Sequence, residues 1–272
     1  MTIQEILQTT EVKLKSAKIT SARLDAELLL AHAINKTREY LIAHNDRVLS
    51  DSEIKRFEGY ISRRLDREPV CYITNSLEFY GIDFYVDNRV LSPRVETELI
   101  VEQAVKHASQ GSRLIDIGTG SGAIAIAIAK HRADLIITAT EVSSEALDVA
   151  IKNAKNILGT NHQIKFIIAD LFDGVTGQFE TVVTNLPYVS EDYKPNMKPE
   201  VHKEPAIALY GGPGDGLDLY RKFYSQLTSH IKSGSQIYHE SDPWQHEQLK
   251  AIAQASGLEP LLEDYFILGF KN

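Results

Sequence analysis

Cysteine is almost absent. Cys71 is alone among 272 residues, so no internal disulfide can form and no cysteine-rich metal site is available. No apolar run reaches the roughly 18 residues that a membrane-spanning helix needs. The opening residues, Met-Thr-Ile-Gln-Glu, lack the charged-then-apolar pattern of a secretory signal, so a cytoplasmic location is expected. Positive charge is in short supply: 29 Lys and Arg against 37 Asp and Glu give a formal net charge of −8. That balance argues against a broad nucleic-acid-binding surface and leaves only a local basic patch open. Internal repeats, low-complexity tracts and long charge runs are also missing. What remains is a composition ordinary for a soluble globular protein, long enough for one large domain or two modest ones.

The stretch with most chemistry in it is Leu-Ile-Asp-Ile-Gly-Thr-Gly-Ser-Gly, residues 114–122, followed by an Ala/Ile run to residue 129. An apolar run that breaks at alternating glycines and resumes as an alanine-rich run reads as strand, tight turn and helix. Gly118, Gly120 and Gly122 leave the turn without Cβ atoms, so a ligand can press on bare backbone, together with Thr119 and Ser121. The helix that follows aims free N–H groups and its positive end at that ligand. Two cofactors fit. Gly118 to Ala123 satisfies the loose dinucleotide pattern, with Glu141 about 20 residues on to hold a ribose. S-adenosylmethionine fits the same spacing, because its ribose offers the same hydroxyls. Asp116 tilts the choice towards S-adenosylmethionine: a carboxylate at the mouth suits a cationic amino group and repels a pyrophosphate.

Residues 1–68 read as a helical bundle. Apolar residues recur at helical spacing from Ile3 to Ile19, and Ser21 is placed to cap a second helix. A short third helix is expected around Arg38 to Ala43. Ser50 and Glu53 form a capping-box pattern opening a fourth helix that carries Lys55, Arg56, Arg63, Arg64 and Arg67. That basic face is either a solvated surface or a contact for an acidic partner or RNA. Residues 69–92 read as a linking β-hairpin, with strands at 70–73, 77–80 and 82–86 and a turn at Gly81. A helix is expected from Ser92 to about Ser109, with Pro93 in its first turn. From residue 111 strands (113–118, 135–141, 164–170, 181–185, 236–240, 260–263 and 265–270) alternate with helices. This predicts an α/β fold, a doubly wound and mainly parallel sheet with ligands beyond the C-terminal strand ends. Gly118, Glu141, Asp170 and Asn185 all fall at such ends.

After the fourth of these strands comes Asn185-Leu186-Pro187-Tyr188. A carboxamide nitrogen is a poor nucleophile because resonance spreads its lone pair onto the carbonyl. A site that alkylates it must hold the NH₂ with acceptors. Asn185 offers its side-chain carbonyl, and the backbone carbonyl before the proline offers a second. Tyr188 supplies a flat face for stacking. With an electrophilic methyl held in line, positioning and electrostatics do most of the work.

Asp116-x-Gly-x-Gly-x-Gly with Asn185-Leu-Pro-Tyr188 resembles the class I S-adenosylmethionine-dependent amino-methyltransferases. Pro93-Arg-Val-Glu-Thr-Glu98, Arg67-Glu-Pro-Val-Cys-Tyr-Ile, Glu78-Phe-Tyr-Gly and Ser21-Ala-Arg-Leu-Asp-Ala-Glu narrow the resemblance to the HemK/PrmC family, and it extends through Glu204-Pro-Ala-Ile-Ala-Leu and Asp215-Gly-Leu-Asp. The resemblance implies a protein-(glutamine-N5) methyltransferase acting on the Gly-Gly-Gln motif of class I peptide chain release factors. It implies a catalytic domain at 93–272 and a helical domain that helps recognise the release factor, with the basic fourth helix as a contact. Gly118 to Gly122 would then line the methionine end of the cofactor and Glu141 would hold the ribose. Asp170 and Leu171 would lie by the adenine, and Asn185 to Tyr188 would grip the glutamine, with Phe79 nearby. A monomer without a metal, a membrane contact or stable nucleic-acid binding is expected.

The chain departs from the family pattern at several positions. Leu186 stands where the first of two prolines is usual, Val95 where a proline is usual, Glu141 for an aspartate and Leu171 for an aromatic residue. The ending Asp264-Tyr-Phe-Ile-Leu-Gly-Phe-Lys lacks an Arg-Asp-Arg-Val-like sequence. His202, His239 and His246 have no convincing metal-ligand spacing. Glu240 reads as a packing and hydrogen-bonding residue near the site, and Gly211 to Gly216 as a flexible turn bordering it. Other functions in view are glutamine methylation of a large-subunit ribosomal protein, N6-adenine methylation of nucleic acid, hydride transfer, and cofactor binding without catalysis.

Overall fold

A computed structural model describes all residues, 1–272. Its N-terminal unit is built from capped helices. Thr2 and Ser50 each accept a backbone N–H with the side-chain oxygen, while Glu5 and Glu53 reach back to the cap's own N–H. These reciprocal bonds satisfy donors that a helix start otherwise leaves open. They open α1 (Ile3–Ser16) and α4 (Asp51–Leu65). Between these lie α2 (Ala22–Ala33) and α3 (Arg38–Ala43); Ser21 makes no side-chain capping bond to α2. The apolar faces of these helices bury Ile3, Leu14, Leu29, Leu30, Phe57 and Ile61 in one core.

Two expectations change here. Val70–Thr74 is a helix, α5, rather than a strand, and it ends at Asn75 in the left-handed conformation. The unit therefore runs to Ser76, past the boundary expected at residue 68, and takes in Pro199–Lys203 as well. Pro69 stands just before α5, where its missing N–H costs nothing. The basic face of α4 is also largely spent inside the unit. Arg63 pairs with Glu68 at 2.5 Å, and Arg67 pairs with Glu200 at 3.2 Å. Arg64 is buried between Asp25 at 2.7 Å and Glu200 at 3.0 Å. Only Lys55 and Arg56 of that set face solvent without a partner.

The larger unit, Leu77–Lys198 with Glu204–Asn272, begins with a hairpin of β1 (Leu77–Phe79) and β2 (Ile82–Phe84). Ser92 to Arg94 is not helical, contrary to expectation. A 3₁₀ turn at Val95–Thr97 leads into α6 (Glu98–His107). The reason is tertiary: Ser92 and Arg94 both turn their side chains to the buried Glu204, and the backbone is extended at Arg94. Strands and helices then alternate: β3 (Arg113–Ile117), α7 (Ala123–His131), β4 (Ile136–Glu141), α8 (Ser144–Leu158), β5 (Lys165–Ile168) and β6 (Phe179–Thr184). A short parallel pair, β7 (Val189–Ser190) and β8 (Tyr210–Gly212), precedes α9 (Asp218–Leu227). The chain closes with β9 (Ile231–Glu240), α10 (His246–Ala255), β10 (Glu259–Glu263) and β11 (Ile267–Lys271).

The main sheet has the order β10-β11-β9-β6-β3-β4-β5. The five strands from β9 to β5 are parallel, and β11 and β10 add an antiparallel edge. Leu114, Ile115 and Ile117 of β3 are fully buried, as expected of a strand covered on both faces. This is the doubly wound, mainly parallel α/β sheet that the sequence predicts. No helix is long and apolar enough to cross a membrane.

Removing Asp25 would leave the buried Arg64 guanidinium to Glu200 alone, and its Nη1 already has no partner. Asp25→Ala should therefore cost about 3–5 kcal/mol of stability, the range for breaking a buried ion pair. Denaturant titration of the full chain measures it. A loss below about 1 kcal/mol, as for an exposed pair, would show that water solvates this network.

Candidate active site

From β3 the chain crosses to β4 on one side, and from β6 it crosses to β9 on the other. The carboxyl ends of β3 and β6 are thus the place where strand order reverses, and doubly wound sheets bind ligands there. The two strands end level: Ile117 lies opposite Thr184, and the Thr184 hydroxyl donates to the Ile117 carbonyl at 2.7 Å. The glycine turn and the Asn185 turn therefore leave the sheet side by side.

Gly118, Gly120 and Gly122 take φ values of 71°, 55° and 82°. Left-handed backbone at three alternate positions is what glycine permits and other residues resist. Asp116 does not stand at the mouth of this turn. It is fully buried beneath it, where Oδ2 accepts the Thr119 hydroxyl at 2.6 Å and the Ala125 N–H at 3.2 Å. Strand alternation turns residue 116 towards α7, so its carboxyl clamps the loop instead of meeting a ligand. Burial pushes that carboxyl up to about 7, and the nearby Glu141 charge adds to the rise. Glu141 ends β4 and does face the cavity. Its Oε2 accepts Gly120 N–H at 2.9 Å, and its Oε1 accepts the N–H groups of Val142 and Ser143 at 3.0 Å each. One acceptor site is left on Oε2 for a ligand hydroxyl.

Beside it, Leu186 is buried and packs over the glycine turn: a Cβ on Gly118 would lie 3.3 Å from Leu186 Cδ2. The leucine thus fills the gap between the two turns. Asn185 directs Nδ2 to the Thr97 hydroxyl at 3.1 Å. Tyr188 corrects a second expectation, because it does not line the cavity. Its ring packs on the core, and its hydroxyl donates to Glu240 Oε1 at 2.9 Å. Burial first, and the Glu240 charge second, push the phenol well above its ordinary range. The segment from Gly211 to Gly216 is a brace rather than a loose turn. A Cβ on Gly216 would fall 2.3 Å from the Tyr188 carbonyl, so only glycine lets the two backbones meet. Gln245 secures the same carbonyl with a bond of 2.8 Å.

These turns enclose a cavity of about 250 Å³. Gly118 to Ser121, Glu141, Asp170, Leu171, Asn185, Leu186 and Pro187 line it, with Phe79 from the hairpin. Asp170 is also paired with Lys222 at 2.5 Å. Arg94 lines the cavity and is held by the Glu204 carboxylate at 2.5 Å. Arg94, Thr97 and Glu204 appeared in the sequence only inside family-like strings, with no role attached. Arg94 meets Glu204, and Thr97 meets Asn185 and Glu240, through contacts between residues far apart in the chain. The three histidines do not converge. His202 is exposed, His239 is buried with Nε2 2.8 Å from the Tyr224 hydroxyl, and His246 meets Glu263 at 3.1 Å. Burial lowers His239 to about 3.

Comparison with known proteins follows the same division. Residues 5–74 match a family model described as the PrmC N-terminal domain, and residues 95–204 match the methyltransferase small domain. A release factor glutamine methyltransferase of Koribacter versatilis is 37% identical over 239 residues, covering 86% of this chain and 84% of that protein. Another, from Leptospira interrogans, is 36% identical over 264 residues, covering 94% and 91%. Among solved structures, a methyltransferase from Pyrococcus furiosus shares the fold with a TM-score of 0.51 at 17% identity, covering 79% of this chain and 98% of that one.

Asp116→Asn keeps the shape and both accepted hydrogen bonds but cannot ionise. A folded-state pKa raised from 3.8 to about 7 gives stability that is present below about pH 4 and lost as pH rises through about 7. The variant should lack this component, so its stability relative to the native chain should climb across that window by on the order of 1 kcal/mol per pH unit. Melting curves of both proteins from pH 4 to 8 test this; parallel profiles would mean that Asp116 stays ionised when buried.

Proposed function

The chain belongs to the release factor glutamine methyltransferase family, and from that premise we propose that it methylates the side-chain amide nitrogen N5 of the Gly-Gly-Gln glutamine in class I peptide chain release factors. The observation that carries this reading is the orientation of Asn185 at the cavity wall, with its NH₂ already engaged by Thr97. The oxygen end of the carboxamide is thereby left for an N–H donor.

S-adenosylmethionine supplies the electrophilic methyl group, and the cavity has the donor set it needs. Gly118 to Gly122 give bare backbone for the methionine end, Glu141 has an acceptor site for a ribose hydroxyl, and Asp170 and Leu171 flank the place for the adenine. In this reading Asn185 Oδ1 and the Leu186 carbonyl accept the two N–H groups of the substrate amide. Proline at 187 has no N–H, so the junction offers only acceptors. Two acceptors on the N–H groups fix the amide plane and aim the nitrogen's remaining electron pair along the transfer line. In methyl transfer from S-adenosylmethionine, positive charge would grow on the amide nitrogen, the same two acceptors would oppose it, and solvent water would take the proton the nitrogen sheds. A strong base is unnecessary because an N-methylated amide cation is very acidic. Phe79 closes the apolar wall, and Tyr188 acts behind Asn185 rather than on the substrate.

The test mixes the purified chain with methyl-labelled S-adenosylmethionine and, separately, class I release factors, the large-subunit ribosomal proteins and bare nucleic acid. Peptide mapping then locates the label. Label on the Gly-Gly-Gln glutamine is expected, and Asn185→Ala should reduce kcat/KM by on the order of 10²-fold or more. Label confined to a ribosomal protein or to nucleic acid would keep the chemistry and overturn the substrate.

A further inference from the structure

The two ends of an asparagine carboxamide are nearly the same size and opposite in hydrogen-bonding character. An Asn185 turned the wrong way would present NH₂ to the substrate's NH₂, donor against donor. Something must therefore choose its orientation, and nothing within the Asn-Leu-Pro-Tyr turn can. The choice is made behind it. Thr97 Oγ1 lies 2.5 Å from Glu240 Oε2, and the Tyr188 hydroxyl lies 2.9 Å from Glu240 Oε1. Thr97 is 4% exposed and Glu240 2%, so water does not compete for these bonds.

Both Glu240 oxygens accept in this arrangement, Oε2 from Thr97 and Oε1 from Tyr188, and a threonine hydroxyl has one proton to donate. Glu240 takes that proton, so Thr97 faces Asn185 with lone pairs alone. Only the NH₂ end of Asn185 can meet a lone pair, and the bond observed is Nδ2 to Oγ1 at 3.1 Å. We propose that Glu240, acting through Thr97, is a positioning residue that fixes the Asn185 carboxamide with its oxygen towards the substrate; this rests on the glutamine-methylating role given above. Glu240 touches neither substrate nor cofactor. Burial raises the Glu240 carboxyl above its ordinary range, and the hydroxyls of Thr97 and Tyr188, with Asn185 as a further donor, offset part of that rise. Tyr188 thus does its work from the rear, by occupying the second oxygen of Glu240 and leaving the first to Thr97.

Thr97→Val keeps the shape and deletes the relay; Thr97→Ser restores it. Glu240→Gln places an NH₂ donor against one of the two hydroxyls and breaks the polarity from the other end. With release factor as substrate and below the melting range, Thr97→Val and Glu240→Gln should lower kcat by on the order of 10²-fold, as expected for a misplaced catalytic group, while KM for S-adenosylmethionine changes little. Thr97→Val also leaves a Glu240 oxygen without its donor and should lower Tm. Thr97→Ser should recover most of the turnover lost in Thr97→Val. A readout independent of activity is the side-chain ¹⁵NH₂ signal of Asn185 in asparagine-labelled full-length protein, assigned by its disappearance in Asn185→Ala. Its protons should exchange slowly in the native chain and in Thr97→Ser, and rapidly in Thr97→Val. The proposal is overturned if Thr97→Val keeps both its kcat and its slow exchange, or if Thr97→Ser fails as badly as Thr97→Val. Failure of the native chain to label any glutamine would refute the substrate reading instead, and the exchange comparison would still decide the positioning role.

Discussion

Everything at the site depends on β3 and β6 lying next to each other in register. Four residue pairs, from Leu114 opposite Thr181 to Ile117 opposite Thr184, set the two strand ends at one height. The Thr184 hydroxyl locks the final pair by donating to the Ile117 carbonyl. Were the register to slip by one residue, side chains would exchange faces and Leu186 could no longer seat over the glycine turn. The sheet thus converts two short motifs, far apart in the chain, into the two walls of one cavity.

Three buried carboxyl groups do different things within that frame, and their surroundings decide which. Asp116 has two donors on one oxygen and none on the other, so burial dominates and its proton is held more tightly. Glu141 collects three backbone N–H groups and still keeps an acceptor site towards the cavity. Glu240 takes the hydroxyls of Thr97 and Tyr188 and turns them into a fixed polarity behind Asn185. A buried acceptor is costly unless satisfied, and it is also an effective orienter once satisfied.

Much of this was legible in the sequence. Hydrophobic runs broken by glycine placed β3, β4 and β6 and the helices after them within a few residues, because a local pattern of burial reports directly on strand or helix. The Ser50–Glu53 capping box formed as expected, since both partners lie within one turn. Glu141, Asp170, Leu171, Asn185, Leu186, Pro187 and Phe79 all reach the cavity because strand ends bring them there. The misreadings share a cause. Val70–Thr74 looked like a strand by residue type, yet it forms a helix against the core that holds Ile73. Asp116 and Tyr188 were assigned to the ligand by position in a motif, and each found a partner elsewhere in the fold. The arginines of α4 looked like a basic surface until Asp25, Glu68 and Glu200 were brought to them.

What the sequence determined by itself was the order of elements, the doubly wound class and the two turns that wall the cavity. Those follow from interactions spanning a few residues, and the chain states them locally. What only the tertiary structure decided was direction and partnership: which way the Asn185 carboxamide points, which carboxylate stands behind it, and which charges are already neutralised. Thr97, Asn185 and Glu240 lie on separate segments, and a hydrogen bond of about 3 Å between segments has no signature in spacing. Burial then fixes the outcome, because donors and acceptors shut away from water must find each other.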